Sequence, residues 1–313
     1  MKKVFVLGSI NMDLVMETDR MPLLGESVIG SGFLANQGGK GANQAVACAK
    51  LGCDCTFLGA VGRDSNGVQL LESLRGFDVK TDGVQESDCY SGTCIILFDR
   101  SQRDNLLVVD PGANMHIDPA QVSAYLRQHA KAGDIFITQL ETNLDAVETG
   151  LAVSKELGLF TVLNPAPART VGNEILQHVD LIVPNETETL ALTGITPDTE
   201  EAVWQVYRHF AQLGVAQMII TLGKRGSVHV WGDHLAWHGA KTVEAVDTTS
   251  AGDTFIGAVC AQLSAGVTIE EAIDYAAVCS AITVSRRGAA ISIPTVAEVE
   301  QYLRNAEKGV NYV

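Results

Sequence analysis

Asp247-Thr248-Thr249-Ser250-Ala251-Gly252-Asp253-Thr254-Phe255 joins two different textures of sequence. Residues 242–246 before it read as a strand, and residues 255–263 after it form a helical pattern free of Pro. Between them a turn of small residues feeds a helix N-terminus. Such a terminus has unpaired backbone N–H groups and the positive end of the helix dipole, so it attracts anions. Ser250, Ala251 and Gly252 let a bulky anion reach that backbone. Asp253 is out of place in a site that only holds an anion, because its carboxylate repels one. It makes sense as the acceptor for a proton from the group that attacks the anion. Together these features point to phosphoryl transfer to a hydroxyl, where positioning and charge stabilisation do most of the work. The competing reading is a capped helix whose early Asp only complements the dipole.

Away from this stretch, strand and helix patterns alternate. Residues 4–10 are a continuous apolar run, as in a strand buried on both faces, and lead into Gly8-Ser9-Ile10-Asn11-Met12-Asp13. Strand patterns follow at 56–61, 134–138, 159–163, 181–183 and 218–222, and helical ones at 65–75, 119–129 and 144–157. The last four strands end in Gln139-Leu140-Glu141, Asn164-Pro165-Ala166-Pro167, Pro184-Asn185-Glu186-Thr187-Glu188 and Gly223-Lys224-Arg225-Gly226. Polar residues past the C-terminal ends of strands stand where open α/β sheets bind ligands. The repetition predicts an α/β fold, a mostly parallel sheet with helices around it and one functional edge. No internal repeat or long linker appears, so residues 1–313 are expected to form one principal domain.

Two segments break the alternation. Residues 14–36 read as short strands and turns, with Pro22, Gly25, Gly30 and Gly32. Residues 91–110 hold two strand-like runs joined by a polar loop, 99–104, as a hairpin. Both are assigned to a small lid-like sheet, whose apolar strands favour pairing with a second subunit.

Asn36-Gln37-Gly38-Gly39-Lys40-Gly41-Ala42-Asn43-Gln44 opens a helix running to Leu51. It is not a P-loop, because Gly41 stands where Ser or Thr should follow the Lys. It reads either as a polyol site, with backbone N–H groups, Lys40 and Asn43 gripping hydroxyls, or as an exposed Lys on a Gly-rich cap. Asn185 and Glu188 read either as a capping box or as oxygens near Mg²⁺, reached through water. Thr221-Leu222-Gly223-Lys224-Arg225-Gly226 is either a tight turn between strands or a nucleotide cradle. The seven His lack H-E-x-x-H or H-x-x-x-H spacing, so zinc is not expected.

The chain has 313 residues and a net charge of −15, which argues against nucleic acid as a partner. An anionic ligand must therefore be held by local donors or metal ions. The seven Cys are odd in number and scattered, as for reduced thiols in a cytoplasmic protein. The apolar start is too short for a signal peptide, and no charge-free run is long enough for a bilayer, so no membrane partner is expected.

Gly38-Gly39-Lys40-Gly41-Ala42-Asn43-Gln44 and the 247–255 stretch resemble the N- and C-terminal signatures of the ribokinase family, the PfkB-type carbohydrate kinases. Asn164-Pro165-Ala166-Pro167-Ala168 and Pro184-Asn185-Glu186-Thr187-Glu188 add to the resemblance, which runs from 8 to 294. It implies the ribokinase-like sheet and lid, a homodimer through the lid, and ATP-dependent phosphorylation of a pentose at its primary hydroxyl. It assigns Asn11, Asp13, Gly39, Lys40, Asn43 and Glu141 to the sugar, with Asp253 touching it as the base. Asn185, Thr221, Leu222, Gly223, Lys224, Arg225, Gly226, Ala251 and Gly252 would contact ATP. Glu188, with Asn185 through water, would organise Mg²⁺. Asp247, Thr249, Thr283, Arg286, Gly288 and Ser292 would hold a monovalent cation, usually K⁺, several through backbone carbonyls. Met12 and Ala277 depart from the family pattern, near the sugar and the adenine respectively. The competing readings are a kinase for deoxyribose, a nucleoside or another furanose, and a non-catalytic sugar-binding regulator. Asp253 argues against the last, since a binding-only protein has no use for a proton acceptor there.

Overall fold

Val4, Phe5, Val6 and Leu7 are all fully buried or nearly so, with Val4 and Val6 in one core cluster and Phe5 and Leu7 in another. The strand they form is therefore central to a sheet covered on both faces. The computed structural model describes residues 2–102 and 104–307. In chain order it contains β1 (Lys3–Leu7), β2 (Asn11–Thr18), β3 (Ser31–Gly38), α1 (Lys40–Lys50), β4 (Asp54–Gly62), α2 (Ser65–Gly76), β5 (Lys80–Ser87), β6 (Gly92–Asp99) and β7 (Asp104–Asp110). There follow α3 (Pro119–His129), β8 (Ile135–Thr138), α4 (Leu144–Glu156), β9 (Phe160–Leu163), α5 (Asn173–Leu176), β10 (Leu181–Ile182), α6 (Glu186–Thr193) and α7 (Glu200–Gln212). The chain continues through β11 (Gln217–Thr221), β12 (Ser227–Trp231), β13 (His234–His238), α8 (Ala251–Ser264), α9 (Ile269–Val284) and α10 (Val296–Glu307).

The main sheet is nine-stranded, in the order β13-β12-β11-β10-β9-β8-β1-β4-β5. From β11 to β5 every pairing is parallel, and only the β12–β13 hairpin is added antiparallel. The expected parallel sheet is thus present, with an antiparallel hairpin on one edge. Val4, Val6, Ile135, Ile137, Val162 and Ile219 pack with apolar residues of α1, α8 and α9 on one face. Phe5, Leu7, Phe136, Leu163 and Ile220 pack with those of α3, α4 and α7 on the other. Among the described residues no helix is long and apolar enough to cross a membrane.

The expected strand at 242–246 is absent. The segment has no regular structure, and the N–H groups of Val246 and Asp247 both donate to the carbonyl of Val284, at 2.7 and 3.1 Å. These two bonds tie the segment to the end of α9 rather than to a strand.

The second sheet is four-stranded, in the order β3-β2-β6-β7. It has antiparallel outer pairs and a parallel β2–β6 pair at its centre. These strands come from the two segments that broke the alternation, and their ends reach further, to Asn11 and Gly38. Arg103, in the expected hairpin loop, lies outside the described residues. Every residue of β7 is exposed, including Leu106, Leu107, Val108 and Val109.

Candidate active site

The site is assembled where β1 leaves the main sheet and β2 enters the lid. Two glycines of the loop before α1 are dictated by close approach. Gly39 has φ 91°, and a Cβ there would lie 2.8 Å from the Ser9 carbonyl oxygen; a Cβ on Gly41 would lie 2.6 Å from the Gly8 Cα. With both kept bare, the first turn of α1 lies directly against the β1–β2 crossing. Ala42 N donates to the Ser9 carbonyl at 2.9 Å, and Lys40 N donates to Glu141 Oε2 at 3.2 Å. Ser9 Oγ also donates to Glu141 Oε2.

Asn11 and Asp13 are therefore residues of a lid strand rather than of the turn after β1. Asn114, fully buried just after the lid's last strand, accepts from Ile10 N at 2.9 Å and donates to Asn11 Oδ1 at 2.7 Å. The clasp joins the lid's entry to its exit. It also leaves the Asn11 NH₂ as the group free to face a ligand. Asp13 pairs with Asn36 on one side and Cys94 on the other. Met12, 4 % exposed, points to the opposite face and belongs to the core, so this departure falls on the pocket's back wall. Burial, and then the neighbouring Glu141, pushes the Asp13 carboxyl up to about 7.

The second half of the site is the start of α8. Its N-cap, Ser250, sits in the left-handed region at φ 61° and gives no side-chain cap. A Cβ on Gly252 would meet nothing within 4 Å, so the first turn of α8 opens onto space. Asp253, 8 % exposed, accepts from Gln44 Nε2 on Oδ1 at 3.0 Å and from Asn43 Nδ2 on Oδ2 at 3.2 Å. Asn43 Nδ2 also reaches Ser250 Oγ at 3.0 Å. Burial raises the Asp253 pKa, against the pull of Lys40, Gln44 and Asn43. Lys40 is the opposing charge. Its burial works against protonation, yet Asp253, Glu141 and Glu188 together hold its pKa above the ordinary value. The ammonium thus feels the negative charge of three carboxylates.

On the far side, Asn185 and Glu188 form a full capping box at α6. Glu188 N donates to Asn185 Oδ1 at 2.8 Å, and Asn185 N donates to Glu188 Oε2 at 2.9 Å. Asn185 Nδ2 donates to Glu188 Oε1 at 2.8 Å. The capping reading therefore holds. Burial raises the Glu188 pKa, against the hydrogen bond from Asn185 N and the charge of Lys40. Thr221 bridges to Asn185, which places the 221–226 loop beside it. In that loop Leu222 is core, 1 % exposed, and Arg225 is paired with Glu186 and Asp198. Gly223, Lys224 and Arg225 are exposed.

Asp247 joins the two segments expected to hold a monovalent cation. Its Oδ1 accepts from Thr249 N at 2.9 Å and its Oδ2 from Gly288 N at 3.0 Å. Thr283 Oγ1 donates to Thr254 Oγ1, and Ser292 Oγ to the Ala289 carbonyl, so both hydroxyls donate within the protein. Arg286 is paired with Glu298 at 2.8 Å. Among the described residues no group of three or more His, Cys, Asp or Glu could hold a metal ion, so a cation here depends on carbonyls and water.

Sequence reasoning passed over Gln44, Gln139, Asn164 and Asn114 as site residues. The first three lay inside the motifs it quoted. Their signal was polar side chains at positions that the fold fully buries.

The comparisons with known proteins agree with this geometry. A family model described as "pfkB family carbohydrate kinase" matches residues 1–296. The chain is 38% identical to the ribokinase of Schizosaccharomyces pombe over 310 residues, 96% of this chain and 97% of that protein. It is 32% identical to the deoxyribokinase of Salmonella typhimurium, covering 96% of this chain and 98% of that one. It superposes on the structure of Arabidopsis thaliana ribokinase complexed with ribose and ATP with a TM-score of 0.88 at 30% identity, covering 97% and 99% of the two chains. The chain belongs to the pfkB family of carbohydrate kinases.

Proposed function

We propose that the protein transfers the γ-phosphoryl group of ATP to the primary hydroxyl of a pentose, with ribose the substrate and ribose 5-phosphate the product. The observation that carries this reading is the place of Asp253, a buried carboxylate with a donor on each oxygen at the open start of α8. A hydroxyl beside it gives its proton to the carboxylate as its oxygen bonds to the γ-phosphorus. The bond from that phosphorus to the bridging oxygen breaks, and ADP leaves. Lys40 and the N–H groups of the first turn of α8 offset the charge on the transferring group. On the sugar side, Asn11 offers a donor, while Asp13 and Glu141 offer acceptors. Similarity to a ribokinase that binds ribose and ATP supports ribose. Similarity to a deoxyribokinase keeps deoxyribose as the second reading. A nucleoside or another furanose needs the same donors around a different outline.

Glu188, with Asn185 through water, would hold Mg²⁺, which when bound neutralises phosphate charge. Oxygens of Asp247, Thr249, Thr283, Arg286, Gly288 and Ser292 would hold K⁺. The carboxylate of Asp247, already spanning both segments, fits that role. The cysteines, all free thiols, fit the reducing cytoplasm expected for this chain.

The Asp253→Asn variant is expected to bind sugar and ATP and to lose about 10²–10⁴-fold in kcat, the range for removing a general base. Near-normal turnover would remove Asp253 from the mechanism. Turnover at constant ionic strength is expected to be higher in K⁺ than in Na⁺ or a bulky organic cation, and equal rates in all three would reject the cation site. The lid is expected to pair two subunits through its exposed apolar strands, notably Leu106 and Val108 of β7. Sedimentation should then show a dimer at micromolar concentration and a monomer for Leu106→Glu; a wild-type monomer would contradict the pairing.

A further inference from the structure

A chain of buried amides runs beneath the active site, and its direction is fixed from one end. The carbonyl oxygen of Val183, just past β10, can only accept. Asn164 therefore turns its NH₂ toward it, with Nδ2 at 3.0 Å. Asn164 Oδ1 is then left to accept, and Gln44 Nε2 donates to it at 3.1 Å. The second hydrogen of that nitrogen goes to Asp253 Oδ1 at 3.0 Å. Gln44 Oε1 is the acceptor that remains, and Gln139 Nε2 fills it at 2.7 Å. Reversing any one amide would bring two donors or two acceptors face to face, where an unmade hydrogen bond is costly. Gln44 and Gln139 are fully buried and Asn164 is 6 % exposed, so water does not substitute.

We propose that Gln44 is a positioning residue for the phosphoryl-transfer reaction: as the central link of this chain, it fixes the Asp253 carboxylate in orientation and favours its proton-accepting form. The proposal rests on the reading of Asp253 as the base. With Gln44 donating to one oxygen and Asn43 to the other, both bonds lower the Asp253 pKa against the effect of burial, which enlarges the share of the form that can take a proton from substrate. The chain also ties the end of β8, which leads to Glu141 on the sugar side, to the end of β10, which leads to Asn185 on the nucleotide side. Both halves of the site are thereby referenced to one carboxylate.

The test uses Gln44→Met and Gln44→Glu in the full-length enzyme, with Asp253→Asn beside them. Gln44→Met removes both the donor and the acceptor. Gln44→Glu keeps the size and the oxygen that Gln139 needs but replaces the donor with a carboxyl facing Asp253. Each is expected to lower kcat by about 10–10²-fold, the scale of a misplaced reacting group, with sugar KM little changed. The acid limb of the kcat–pH profile is expected to move up by about one unit, and further for Gln44→Glu. If Gln44→Met does not fold, Gln44→Glu alone carries the test. A lower melting temperature with an unmoved acid limb and wild-type kcat would reduce Gln44 to a structural role and overturn the proposal, while an impaired Asp253→Asn would leave the kinase reading standing. Near-normal turnover of Asp253→Asn would instead overturn that reading itself.

Discussion

The structure depends on one buried carboxylate being held from two directions. Asp253 stands in the first turn of α8 and is gripped by Asn43 and Gln44 from the first turn of α1. Two helix starts can meet there only because Gly39 and Gly41 let α1 lie against the backbone of Gly8, Ser9 and Ile10. A single added methyl at Gly41 would meet main chain rather than a side chain that could move. The same contact carries the chain into the lid, so the geometry of the base and the geometry of the cover share one foundation.

Charge is the second constraint. With a net charge of −15, the protein as a whole repels the phosphates it is built to handle. The site therefore relies on local sources. Lys40 is buried among Asp253, Glu141 and Glu188, which secure its charge rather than leaving it to solvent. Backbone N–H groups at the open start of α8 add dipoles that need no reorganisation when charge develops.

Much of this was legible before any coordinates. The buried run of β1, the polar residues after the parallel strands, the Gly-rich start of α1 and the small-residue turn into α8 each follow from local rules, and the fold obeys them. The strand expected at 242–246 did not form: Val246 and Asp247 give their N–H groups to the Val284 carbonyl at the end of α9, a partner that no local pattern announces. Asn11 and Asp13 were found as residues but left outside the lid, which was expected to begin at 14, since nothing local says that β2 begins within the motif. Asn185 and Glu188 satisfied the capping reading, and that reading does not compete with a role near a cation. The sequence did not show that within the 221–226 loop the Leu222 side chain is core while Arg225 is exposed and ion-paired with Glu186 and Asp198. The amide chain through Gln44, Gln139 and Asn164 was out of reach for another reason. Its polarity is imposed by the Val183 carbonyl, and only the packed structure brings that group to Asn164.

The central claim is that this pocket moves a phosphoryl group from ATP to a primary alcohol on a pentose. The most direct measurement is phosphorus and carbon NMR of the products after incubation with ATP, Mg²⁺ and ribose or deoxyribose. The account predicts ADP and a phosphomonoester in equal amounts, with the ester on the primary carbon. An ester on the anomeric or a secondary carbon, or ATP consumed to free phosphate with the sugar untouched, would contradict it.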